Sequence, residues 1–87
     1  MKYEGYVVEV IDGDTFCTKK KIRLARVYAP EINTPKGIAA KRKLAELILR
    51  KTISYEQVGT SYDRLVAEVW LNGYNINSMM IRFLDNL

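Results

Sequence analysis

The chain predicts a mixed, mainly β domain: a five-stranded, partly open barrel of the OB type, in the order β-β-β-α-β-β-α. Three observations predict it. The β-branched and aromatic residues come in short runs punctuated by turn formers, most plainly Asp12-Gly13-Asp14 and Asn72-Gly73. Apolar spacing changes to a helical period in only two places, residues 38–50 and the stretch holding Met79, Met80, Phe83 and Leu84. With 87 residues and no repeat, linker or low-complexity segment, the chain makes one domain, 1–87, that buries roughly 60–65% of its unfolded surface.

The first strand is expected over residues 5–11, where Tyr6-Val7-Val8-Glu9-Val10-Ile11 runs into the Asp-Gly-Asp turn. Thr15-Phe16-Cys17-Thr18 and residues 22–28 flank Lys19-Lys20-Lys21 and read as a second and third strand joined by a tight basic hairpin. Within the third, Ile22, Leu24 and Arg26 share one face, and Arg23, Ala25 and Val27 the other. Thr34 and Pro35 supply the N-cap and first position of a helix. Ala40, Leu44, Leu47 and Ile48 form its apolar stripe and Lys41, Arg42 and Lys43 its polar side, while Arg50 and Lys51 close it with the charge that its dipole favours. Residues 52–58 and 65–71 read as strands four and five, the latter ending at the hairpin-type turn Asn72-Gly73. Asn75 or Asn77 caps a last helix, and no third helix follows.

Hydrophobic residues make up 48% of the chain, with six Tyr, two Phe and one Trp, enough for a packed core and too many for a disordered chain. Fourteen Lys and Arg against ten Asp and Glu leave a charge of +4, which suits a polyanionic partner without requiring one. Cys17 is alone, so no intramolecular disulfide is possible. Without histidine the usual zinc sites and histidine-based triads are excluded, and any metal must be held by oxygen. No apolar run approaches the roughly 18 residues of a membrane span, and Met1-Lys2-Tyr3-Glu4 opens no secretory segment. A soluble, cytoplasmic protein is expected, with a secreted mature form as the alternative.

Chemistry concentrates in Ile11-Asp12-Gly13-Asp14-Thr15, Ile22-Arg23-Leu24 and Ala29-Pro30-Glu31. Two carboxylates on a glycine turn, an arginine on the next strand and a third carboxylate after a proline fit phosphodiester cleavage. Acidic side chains can hold a hard cation and orient a water, and a guanidinium fork can hold a phosphate and take up the charge that develops on it. The bland alternatives are a plain hairpin turn at Asp-Gly-Asp and a structural Arg23–Glu31 ion pair at the barrel mouth.

Together with Pro35-Lys36-Gly37 and with Tyr62-Asp63-Arg64 followed by Ala67, these elements resemble, in order from Tyr6 to about Leu84, the staphylococcal nuclease-like (thermonuclease) family. The resemblance implies an OB barrel and a calcium-dependent endonuclease acting on DNA and RNA with little sequence preference and leaving 3′-phosphates. Carried over by position, Asp14 would ligate calcium through its carboxylate and Ala29 through its backbone carbonyl, with Asp12 beside them. Glu31 would orient or deprotonate the attacking water. Arg23 and Arg64 would clamp the scissile phosphate, and Tyr62 and Lys36 would contact the bound nucleic acid.

Three departures from the family pattern stand out. Tyr28 occupies the position of an aspartate that serves the family as a second anionic calcium ligand; a phenol is neutral near pH 7, which moves calcium affinity toward the weak class of about 10⁻⁴–10⁻³ M. Asp63 and Ser61 stand around Arg64 where a glycine and a basic residue are common. The sequence ends at Leu87, so two expectations stand side by side: a minimal domain, or an apolar surface of Met79, Phe83, Leu84 and Leu87 that a second copy covers, a homodimer through the last helix. The alternatives to a nuclease are a nucleic-acid-binding OB module with weakened catalysis and a protein-interaction domain. Lys19 to Lys21 and Lys41 to Lys43 read as solvated faces that also attract a polyanion, and Cys17 as a small buried hydrophobe.

Overall fold

Residues 3 to 12 form two strands, not the single one expected, and the bend between them closes the barrel. In the computed structural model, which describes all 87 residues, the elements are β1 (Tyr3–Tyr6), β2 (Glu9–Asp12), β3 (Thr15–Cys17), β4 (Lys21–Leu24), α1 (Pro35–Ile48), β5 (Thr52–Ser61), β6 (Arg64–Leu71), β7 (Tyr74–Asn75) and α2 (Ile76–Asp85). β1 pairs with β5, and β2 with β3. At the bend the Val7 N–H donates to the Lys51 carbonyl and the Val7 carbonyl accepts from the Arg50 N–H, both at 2.9 Å, whereas the Val8 N–H already donates to the Cys17 carbonyl at 2.9 Å. The chain thus changes partners within two residues. A strand that serves both neighbours of a small barrel must bend or coil strongly, and here the bend interrupts it.

The order β1-β5-β6-β4-β3-β2 therefore meets itself through Val7 and Val8, with the two-residue β7 appended to β6. β4 and β6 run parallel and the other pairs antiparallel. With β1 and β2 taken as one bent strand and β7 as an extension of its hairpin, the five-stranded OB arrangement holds.

The third strand stops early. β4 ends at Leu24, and Arg26 adopts a left-handed φ of 65°, so Arg26 does not share the core face of Ile22 and Leu24. Ala25 and Val27 are buried instead. Arg26 turns outward into a bidentate pair with Glu68, at 2.7 to 3.1 Å. The long hairpin also differs: β5 continues to Ser61, past a bulge between Gln57 and Gly59.

α1 begins as its sequence dictates, with Thr34 Oγ1 accepting from the Gly37 N–H at 3.0 Å and Pro35 at the first position. It ends at Ile48, not at Arg50. Arg50 takes a left-handed φ of 62°, because the chain must reverse there to reach Val7, and its side chain and that of Lys51 lie beyond the helical turn they were expected to complement. Gly37, Ala40, Leu44 and Ile48 are its buried face. For α2 the cap is Asn75, whose Oδ1 accepts from the Ser78 N–H at 2.8 Å.

Asn77, the other candidate, is fully buried. Its Oδ1 accepts from the Val69 N–H at 2.8 Å and its Nδ2 donates to the Ala25 and Ala67 carbonyls, both at 3.0 Å. That amide ties α2 to the end of β4 and the middle of β6. Phe16, Ile22, Leu24, Leu44, Ile48, Ile53, Val69 and Met80 lie at the heart of a core cluster of 15 residues, against which Met79, Phe83 and Leu84 pack in part. The Lys43 ammonium lies 5.6 Å from the Phe83 ring centroid. Cys17 is half-buried, short of the full burial expected. No helix is long and apolar enough to cross a membrane.

Candidate active site

Two glycines let the site assemble. A Cβ on Gly13 would strike the Ala40 side chain of α1 and, at 2.9 Å, that of Ala29; a Cβ on Gly37 would run into the Glu31 backbone carbonyl. The acidic turn and the segment from Ala29 to Glu31 are thereby pressed against the same helix. The Glu31 carbonyl also accepts from Thr34 Oγ1 at 2.7 Å and from the Thr34 N–H at 3.1 Å. A short loop with its ends so anchored has little freedom to swing away.

Asp14 is the hub. Only 9% of it is exposed, and both carboxylate oxygens are engaged: Oδ1 accepts from Thr15 Oγ1 at 2.9 Å, and Oδ2 accepts from the Ala29 N–H at 3.1 Å. Arg23 Nη2 lies 3.7 Å from Oδ2. Burial by itself would raise the Asp14 carboxyl. Hydrogen bonding with Asp12, the Ala29 N–H and the Thr15 hydroxyl, helped by the Arg23 charge, outweighs burial and holds the group below its ordinary value of 3.8. Asp12 moves the opposite way, pushed up first by burial and then by its carboxylate neighbour, although its Oδ1 accepts from the Asp14 N–H at 3.1 Å.

The two arginines approach this hub from opposite sides. Arg23, its side chain only 17% exposed, donates through Nη2 to the Val27 carbonyl at 3.0 Å and through Nη1 to the Leu24 carbonyl at 3.4 Å. Arg64 reaches over from β6: its Nη1 lies 3.5 Å from Thr15 Oγ1, and its Nε and Nη2 donate to the Ser61 carbonyl and hydroxyl at 3.4 Å each. A continuous row results, Arg23–Asp14–Thr15–Arg64. Beside it lies an open recess of about 290 Å³, lined by Asp12, Thr15, Lys21, Tyr62, Asp63 and Arg64 among others.

The other sequence-predicted residues fall around this row. Tyr62, at the tip of the two-residue β5–β6 turn, is 98% exposed. Glu31 is exposed, and its side chain enters no ion pair, so the Arg23–Glu31 pair weighed from the sequence does not form: Arg23 takes Asp14 instead. Lys36 is exposed in the first turn of α1. Tyr28 is 77% exposed, with the Arg23 guanidinium 5.2 Å from its ring centroid. Sequence reasoning assigned no role to Thr15 or Lys21. Thr15 bridges carboxylate and guanidinium, and its place directly after Asp14 was the available signal; Lys21 pairs with Asp63 at 3.4 Å across the recess, a contact between residues 42 positions apart that no local pattern announces.

Oxygen donors suit a hard cation, and here Asp12 and Asp14 come together, Asp12 Oδ1 accepting from the Asp14 N–H at 3.1 Å. No group of three or more acidic, cysteine or histidine side chains converges.

Barrel and row together define a small OB-type scaffold that can grip a phosphodiester between two guanidiniums. Residues 21–83 match the model of the staphylococcal nuclease homologue family, and the chain belongs to that family. It is 35% identical over 83 residues to an uncharacterized endonuclease of Haemophilus influenzae, a match covering 87% of this chain and 47% of the relative. It is 32% identical over 74 residues to Protein ParB of Escherichia coli, covering 78% and 42%. The chain spans about half the length of the curated relatives it matches.

Proposed function

We propose that this domain hydrolyses phosphodiester bonds of DNA or RNA with little sequence preference and with the help of a divalent cation, calcium by family expectation. The observation that carries the proposal is the row Arg23–Asp14–Thr15–Arg64, which sets two permanently charged forks on either side of one buried carboxylate. A phosphoryl group in displacement spreads negative charge over its equatorial oxygens. Arg23 and Arg64 match that charge with bidentate hydrogen bonds from positions already held by backbone carbonyls.

Asp14, Asp12 and the Ala29 carbonyl would hold the cation, which when bound supplies electrostatic stabilisation of the phosphate. Glu31, anchored through its backbone to the Thr34 cap of α1, orients a water and takes its proton as the water oxygen bonds to phosphorus. The bond from phosphorus to the 5′-oxygen breaks, the 3′-phosphate stays with one fragment, and solvent protonates the leaving oxygen, since neither arginine readily gives up a proton.

The test is cleavage of fluorescent single-stranded DNA and RNA across a calcium titration, with EDTA and Glu31→Gln as controls. Metal-dependent turnover that falls by about 10²-fold or more in Glu31→Gln is the expected outcome. The convergence of only two carboxylates favours a second reading, a nucleic-acid-binding module with weakened catalysis. Salt-sensitive binding without turnover at high calcium would select it.

A further inference from the structure

Tyr28 does more than stand in place of an acidic ligand. Its ring is exposed at the edge of the site, and its neighbour on one side is Arg23, 5.2 Å from the ring centroid and the first member of the phosphate-gripping row. Tyr28 also lines a recess of about 180 Å³, together with Arg26, Ile81, Leu84 and Asp85. An aromatic face, two aliphatic side chains and a nearby guanidinium are what a nucleobase meets in sequence-tolerant sites, because every base has a π-face to stack. Arg26 is already committed to Glu68 by a bidentate pair, so it frames the recess and does not compete for phosphate. Asp85 enters no ion pair. As an acceptor it favours the amino edge of a base over a second phosphate.

We propose that Tyr28 is a base-stacking residue, and that its recess seats the nucleobase of the nucleotide adjoining the phosphate held by Arg23. This deepens the nuclease reading and rests on it. A base inside a duplex is stacked on its neighbours and cannot lie flat on Tyr28 without being turned out, so the substrate class is a single-stranded or locally unpaired nucleic acid.

Equilibrium binding of a fluorescent single-stranded oligonucleotide in EDTA tests the proposal apart from catalysis. Because Tyr28 is exposed, Tyr28→Ala and Tyr28→Phe should fold as the parent does. Loss of one stacked base is worth about 5- to 100-fold in affinity; Tyr28→Ala should show such a loss and Tyr28→Phe should stay within about twofold. Moving one abasic residue along the oligonucleotide should find a single position that reproduces the loss in the parent and adds nothing in Tyr28→Ala. Unchanged affinity in Tyr28→Ala, or losses that add at every abasic position, would overturn the stacking role while leaving the nuclease reading intact, the latter pattern meaning that Tyr28 acts only by steadying Arg23. If the parent protein binds no oligonucleotide in EDTA, the stacking role falls, and the calcium-dependent cleavage assay alone decides the nuclease reading.

Discussion

Asp12 and Asp14, two residues apart, are driven in opposite directions by one environment, and this makes stability without metal depend on pH in opposite senses. Asp14 sits below its ordinary value in the folded protein, so its contribution is present above the unfolded value and is lost as pH falls through the folded one. Asp12 sits above it, so its ionisation opposes folding as pH rises past 3.8. In EDTA, Asp14→Asn should lower the melting temperature at pH 7, an effect that starts to fade only as pH falls below the ordinary value of 3.8, whereas Asp12→Asn should raise it at pH 7, an effect already gone once pH is below 3.8. Thermal unfolding of the three proteins across that range decides the signs. Tyr62 presents a second tension between stability and function at this scale. Its φ of 58° places a bulky side chain at the first position of a two-residue hairpin turn that normally takes glycine or asparagine. Tyr62→Gly should therefore stabilise the protein by about 1 kcal/mol while weakening nucleic-acid binding, measurable by melting and by anisotropy.

Among the elements, α2 matters most through the one polar residue that it buries. Asn77 satisfies the Val69 N–H and the Ala25 carbonyl, where β4 has ended and its pairing with β6 stops. Asn77→Ala would leave these groups unpaired inside the protein, at a cost of about 2–4 kcal/mol. Denaturant titration should show it, whereas alanine at the half-buried cap Asn75 should cost about 1 kcal/mol. The helices were the more legible elements, because Thr34-Pro35, the Ala40-Leu44-Ile48 stripe and Asn75 act within a turn or two of themselves. The ends of β4 and α1 were not legible. Arg26 and Arg50 have no sequence mark of a left-handed conformation; each is forced into it by where the following chain must go, toward Asp14 in one case and Val7 in the other.

For the molecule as a whole, a charge of +4 and exposed lysines at Lys19 and Lys20 predict association that weakens with salt. Each phosphate neutralised on a single strand adds about 0.7 to the slope of log affinity against log salt. Arg23→Ala and Arg64→Ala should each reduce that slope by about this amount, and Lys41→Ala, on the solvent side of α1, should leave it unchanged; a binding series from 50 to 300 mM salt would check both.

The sequence by itself determined the barrel class, both helices, the Asp-Gly-Asp turn and which residue types could handle a phosphate, because alternation, capping and turn chemistry are local and each leaves its mark within a few positions. Only the tertiary structure decided that Asp14 would face Arg23 and not leave it to Glu31, that Thr15 would link Asp14 to Arg64 from a strand 49 positions away, and that Tyr28 would lie against Arg23 beside an open recess. Those contacts arise from closing the barrel at Val7 and Val8 and from pressing Gly13 and Gly37 against their neighbours. Closure is a property of the whole sheet, and no short stretch of sequence carries it.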